Sequence, residues 1–175
     1  MKWVIIAIAV LVGLVALVTV IGMLLPKQHV AKRSAKFNQS AQVIWEAISN
    51  FGDLPSWRPE VQSVDKQPDR NGHAVWMEVS KMGNMPYEVA VFEPPMKMVT
   101  VIADTTLPFG GKWTYEIQEV AGGTQLTITE DGEIYNPIFR FMARFIFGYH
   151  ATMEAYLKNL GKKFGEEVVI IKSEV

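Results

Sequence analysis

Few residues in this 175-residue chain combine type and spacing in a way that could carry chemistry. Glu130 is the first. Leu126, Ile128, Glu130 and Ile134 fall at a period of two, so in a strand this carboxylate points the same way as three apolar side chains. A carboxylate in such company has its pKa raised or needs a partner, and Arg140 is a candidate partner. Glu130 is then either a polar anchor in a pocket or half of a structural ion pair with Arg140 at its rim. His150 and Glu154 stand four apart, as neighbours on a helix face do. As acid and base they could serve an enolisation or dehydration, although a helical pair of this kind is more often a surface contact. Trp57, Trp76, Trp113, Tyr115, Phe145 and Tyr149, with Met153 one turn beyond Tyr149, supply large apolar surface for a pocket wall or for plain core.

Other chemistries find no purchase. With no cysteine, and with His29 and His73 lacking companions at ligand spacing, a metal site is not expected. Gly110-Gly111-Lys112 lacks the spacing of a phosphate-binding loop and opens a strand, which predicts a bulge or turn. No order of Ser, His and Asp suggests a nucleophile, and no cofactor is implied. Of 17 lysines and arginines only Lys2 precedes residue 26, whereas all 18 aspartates and glutamates follow it. The body of the chain is therefore mildly acidic and carries no basic stripe for nucleic acid.

The elements that would position these residues follow from periodicity. Ile138, Met142, Phe145, Tyr149, Met153, Tyr156, Leu160 and Phe164 step by threes and fours, which predicts one long helix from Pro137 to Phe164. Asn136 caps it and Pro137 fits its first position. At 1.5 Å per residue it would run about 40 Å, enough to cross a small sheet. Phe139, Phe141, Ile146 and Phe147 lie off this stripe, so its first half is apolar nearly all round; it is either buried more deeply or turned to lipid or a partner. Ahead of it, Gln28–Phe37 reads as a first strand. Ser40 caps a short helix, Ala41–Ser49, in preference to completing a glycosylation sequon with Asn38, and a second short helix or turn covers Phe51–Trp57. Six strands then follow as a meander: Val61–Lys66, Ala74–Ser80, Tyr87–Phe92, Met98–Asp104, Trp113–Val120 and Gln125–Ile134. Turns fall at Asn71-Gly72, Gly83-Asn84, Leu107-Pro108 and Gly122-Gly123.

Residues 1–26 are different material. Val4–Leu25 carries no charge and spans roughly 33 Å as a helix, against a hydrocarbon layer of about 30 Å. It is too long for a signal-peptide core and ends without a small-x-small cleavage site, so a retained single-pass anchor is expected. Lys27, Lys32, Arg33 and Lys36 follow it, which by the positive-inside rule puts the rest on the cytoplasmic side. Residues 27–165 would be one domain. Residues 166–175 form a tail whose Val168–Ile171 run is either an added strand or a sticky tail between Glu166-Glu167 and Lys172.

The order β-αα-β6-α resembles the START-like (SRPBCC) superfamily, near its polyketide cyclase/dehydrase and lipid-transport branch. Ser40-Ala41-Gln42-Val43-Ile44-Trp45 entering the first short helix, and Asp53-Leu54-Pro55-Ser56-Trp57-Arg58-Pro59 leaving the second, carry the likeness. It implies an α+β helix-grip fold, in which a curved antiparallel sheet wraps the long C-terminal helix and leaves an apolar cavity between them. Trp57, Trp76, Trp113, Tyr115, Glu130, Phe145, Tyr149 and Met153 would then line a site for a hydrophobic ligand, lipid-like, isoprenoid or polyketide-like, held beside the bilayer. A cyclase or dehydratase using Glu130 or His150, or an interaction module with a filled core, are the alternatives. Two converging titratable groups in a large cavity would favour the enzyme. The oligomeric state is open.

The anchor is testable directly. The protein is expected to stay with membranes through alkaline carbonate washing, with its N-terminus uncleaved; a soluble product beginning near Pro26 rejects the anchor.

Overall fold

The computed structural model describes residues 1–81 and 83–172. Helix α1, Lys2–Leu24, is followed by strand β1, Gln28–Phe37, after only three linking residues. Helix α2, Ala41–Ser49, starts where Ser40 accepts a hydrogen bond from the Val43 amide and buries Ile44, Trp45, Ala47 and Ile48. A 3₁₀ turn, Phe51–Asp53, runs into the single-turn helix α3, Leu54–Trp57, which stops before Pro59 as extended backbone at Arg58 requires. The meander is β2 (Val61–Arg70), β3 (His73–Ser80), β4 (Gly83–Glu93), β5 (Lys97–Ile102), β6 (Phe109–Val120) and β7 (Gly123–Ile134). The β2–β3 hairpin closes at Asn71-Gly72, both at positive φ. Gly83-Asn84 opens β4 instead of forming a separate turn. Gly110-Gly111 lies within β6, whose pairing with β7 runs through without an extra residue, so no bulge forms there.

One antiparallel sheet of eight strands results, in the order β2-β3-β4-β5-β6-β7-β1-β8. The eighth strand, β8 (Ile170–Lys172), pairs with β1, which settles the apolar tail run as an added edge strand for these three residues; 173–175 lie outside the described residues. The fold is the α+β helix-grip arrangement, with one N-terminal apolar helix long enough to cross a membrane.

The expected single C-terminal helix is two. Helix α4, Pro137–Met142, passes into a π-helical turn at Ala143–Phe147, and Gly148 breaks the chain at φ 72° before α5, Ala151–Lys163. The φ is one that glycine adopts without penalty. Helix α5 keeps its phase: Met153, Tyr156, Leu157 and Leu160 are buried in the core with Ile44, Ile48, Leu126 and Ile128. Helix α4 follows a different partner. It packs on the C-terminal end of α1, where a side chain at Gly22 would collide with the Pro137 carbonyl. Arg140, buried there, donates to the Leu25 carbonyl at 2.8 Å. With its axis set by α1, the first half of the apolar stripe cannot continue along the sheet. Phe145 ends 59% exposed.

These placements separate in stability. Truncating Met153 to Ala is expected to cost about 2–5 kcal/mol, because its side chain is fully buried. Phe145→Ala should cost close to nothing. Urea unfolding of both variants checks this, and equal costs would restore a continuous helix.

Candidate functional site

Breaking the helix leaves space under it. A cavity of about 680 Å³ lies between the concave face of β4–β7 and the segment from Ile138 to Thr152. Tyr87, Ile102, Trp113 and Ile134 contribute from the sheet; Phe139, Met142 and Tyr149 contribute from above. Most of this lining is apolar, because strand alternation turns every second residue of β5, β6 and β7 inward.

One polar cluster interrupts it. Trp113 and Glu130 are register partners on β6 and β7, and Trp113 Nε1 donates to Glu130 Oε2 at 2.9 Å. His29 Nε2 hydrogen-bonds the other carboxylate oxygen at 3.0 Å. His29 sits opposite Gly132, and a Cβ there would strike the imidazole, so the missing side chain is what lets His29 reach Glu130. Tyr149 stacks on His29 with ring centroids 4.1 Å apart, which ties the segment after Gly148 to the sheet.

Deeper in, sharing Tyr87, Thr100, Trp113 and Thr152 with the main cavity, is a chamber of about 60 Å³. Its wall carries Arg58, whose guanidinium donates to both oxygens of Glu78 at 2.6 and 3.1 Å and lies 5.3 Å from the Tyr156 ring centroid. Burial is the largest single influence on Arg58 and would lower its pKa, but Glu78, Tyr156 and Glu60 together outweigh it and hold the guanidinium above its ordinary value. Tyr115 is hydrogen-bonded to Thr100 and Tyr156, and burial pushes its hydroxyl up to about 12. Burial also raises Tyr87 and Tyr156, so all three hydroxyls stay protonated at neutral pH.

The residues singled out from sequence therefore separate. Trp113, Glu130 and Tyr149 line the main cavity; Trp76 and Tyr115 line the inner chamber. Trp57 packs edge-on to Tyr156 in the core. Phe145 projects outward against Phe141, and Met153 is core; neither borders the cavity, because the break at Gly148 rotates one away and leaves the other under α5. Arg140 does not pair with Glu130, being held at the Leu25 carbonyl. Nor do His150 and Glu154 form a dyad: Glu154 accepts from Arg33 Nε at 2.8 Å, which lowers its pKa, and burial and Arg33 lower that of His150. Sequence reasoning missed His29, Arg58 and Glu78. Gly132 inside a strand was the available signal for a close neighbour; for Glu78 there was only strand parity, and for Arg58, at the end of α3, none. Among the described residues, no three His, Asp or Glu side chains converge as a metal would need.

A family model described as polyketide cyclase / dehydrase and lipid transport matches residues 28–165. Among solved structures, a START superfamily protein from Mycobacterium smegmatis is similar, with a TM-score of 0.57, 18% identity, and coverage of 77% of this chain and 96% of its own. A conserved protein from Geobacillus kaustophilus has a TM-score of 0.65, 13% identity, and coverage of 81% and 99%. Norcoclaurine synthase from Thalictrum flavum has a TM-score of 0.61, 11% identity, and coverage of 80% and 88%. At these identities the likeness is one of fold. A search of curated protein sequences returns no match.

Arg58 Nε also donates to the half-exposed Glu60 at 2.8 Å, so removing Glu78 leaves the buried guanidinium one weaker partner. Glu78→Ala is expected to destabilise the fold by about 1–3 kcal/mol, and a paired apolar replacement of Arg58 and Glu78 by less. Denaturant unfolding of the single and double variants checks the difference.

Proposed function

We propose that this chain, which belongs to the polyketide cyclase / dehydrase and lipid transport family, binds a hydrophobic small molecule beside the membrane to which α1 anchors it. The observation that carries the reading is the cavity: about 680 Å³, mostly apolar, with one polar cluster on its wall. That is the volume and lining of a site for a ligand with a long apolar part and one polar group, of lipid, isoprenoid or polyketide-like type. The polar group would lie at Trp113, Glu130 and His29, with Tyr149 covering it. Helix α1 supports the anchor. Its 23 residues are uncharged after Lys2 and, Gly22 excepted, unburied, a surface that only lipid covers at low cost. Lys27 and Lys32 after the span support a cytoplasmic domain.

The second reading is an enzyme of cyclase or dehydratase type, and one observation favours it: His29 and Glu130 converge in the cavity, where they could move a proton on a bound ligand. Norcoclaurine synthase is a neighbour in fold. Substitution separates the two readings. In an enzyme, His29→Ala or Glu130→Gln would stop turnover and leave binding nearly unchanged.

For binding, the protein is expected to take up a fluorescent fatty acid or a quinone. Tyr149→Ala should weaken uptake by about 1–3 kcal/mol through lost apolar contact, without unfolding the domain. Fluorescence titration is the measurement, and failure of a folded protein to bind any apolar probe leaves an interaction module as the function.

A further inference from the structure

Apolar residues from on and off the expected helical stripe stand exposed on the outer side of α4 and the π turn. Phe145 and Ile146 are each 59% exposed and Phe147 is 67% exposed, with Phe139 beside them. Arg144 stands among them, also exposed. A surface of this kind in water is unfavourable and marks an interaction site.

Its position names what it meets. Three ties hold this corner of the domain to the end of α1: the Gly22–Pro137 contact, the Arg140–Leu25 hydrogen bond, and the Ile134 amide donating to the Lys27 carbonyl at 2.8 Å. A helix of 23 residues whose last turn touches α4 brings α4 to the surface of any bilayer it crosses. Phenylalanines and isoleucine then sink into the acyl boundary while Arg144 reaches the phosphates, the arrangement of an interfacial helix. The same segment roofs the cavity: Ile138, Phe139, Met142 and Phe147 line it from above. One short stretch thus faces lipid on one side and the ligand space on the other.

We infer that α4 and the π turn lie in the interfacial layer of the membrane that carries α1 and form the mouth through which the cavity fills laterally from lipid. This rests on the binding reading above and adds the route of loading. A ligand taken in this way never crosses bulk water. Its polar group travels furthest, since Glu130 lies four residues along β7 from Ile134, about 13 Å from the membrane-side end.

The chain has no cysteine, so single substitutions can carry a nitroxide without background. The experiment places labels at Phe145→Cys, Ile146→Cys and, as a reference at the end of β6 away from Ile134, Glu119→Cys, in the full chain reconstituted into phosphatidylcholine vesicles. Labels at 145 and 146 are expected to collide with dissolved oxygen far more than with a water-soluble nickel chelate, and the label at 119 to show the reverse. Nickel access at 145 and 146 puts the segment in water and overturns the inference. Protection from both reagents means that protein covers the patch, and overturns it equally. In the second arm the double variant Phe145→Asp, Ile146→Asp, neither residue lining the cavity, is expected to fill from probe-loaded vesicles roughly tenfold more slowly. It should bind the same amount of fluorescent fatty acid delivered in detergent. An unchanged rate removes the mouth even if the labels read lipid. No uptake by the unsubstituted protein through either route rejects the binding reading, and the mouth falls with it, while the labels still report depth.

Discussion

Helix α4 can follow only one partner. To extend α5 it would have to lie along the sheet; to seal the end of α1 it must lie across it. The contact at Gly22, where helix and Pro137 carbonyl approach with no side chain between them, and the buried Arg140 guanidinium on the Leu25 carbonyl fix the second choice. The consequences run through the structure. The chain must turn sharply before α5, and Gly148 is where a left-handed φ is tolerated. Separating the helices leaves the half of the sheet next to α1 without a packed roof, and the cavity occupies that space. The far half, closed by α5 and α2, is ordinary core.

The cavity's chemistry is graded along its length by strand register. At the end next to α1 the walls are Ile134, Ile138 and Phe139; in the middle, Glu130 is held by Trp113 and His29; at the inner end, three tyrosines and a neutralised Arg58–Glu78 pair close the space. Tyrosines whose hydroxyls are pushed up by burial donate hydrogen bonds and do not act as bases near neutral pH. Glu78 already spends both oxygens on Arg58. The inner end is therefore suited to hold a neutral oxygen function by hydrogen bonds. Among the titratable groups lining the main cavity, His29 and Glu130 are joined by a hydrogen bond.

Much of this was legible beforehand. Period-two alternation located β1 at its observed bounds and put Glu130 on the inward face, since parity in a strand follows from the pleat alone. Ser40 and Asn136 marked two helix starts through their capping side chains. The break at Gly148 was not legible. A 3.6-residue period continues unbroken across it, and one glycine in a helical pattern is normally tolerated. What overrides the period is α1, a tertiary contact more than a hundred residues away in sequence. The visible sign was the ring of Phe139, Phe141, Ile146 and Phe147 around the first half of the helix, which no single buried stripe accounts for. His29 stayed hidden for a similar reason: its partner is 101 residues away, and only the β1–β7 register, with Gly132 opposite, brings the two together.

The same contacts bear on whether α1 stays with the mature protein. The last turn of α1 and its linker are built into the domain. The Leu25 carbonyl is the hydrogen-bonding partner of a buried guanidinium, and the Lys27 carbonyl extends the end of β7. Cleavage after Pro26 would leave Arg140 buried against a lost acceptor, at a cost of the order of 1–3 kcal/mol or more for a charged group. It would also uncover the face of α4 that Gly22 closes against. The uncharged run makes α1 long and apolar enough to cross a membrane; the fit of its last turn to Pro137 and Arg140 makes that turn part of the packing of α4.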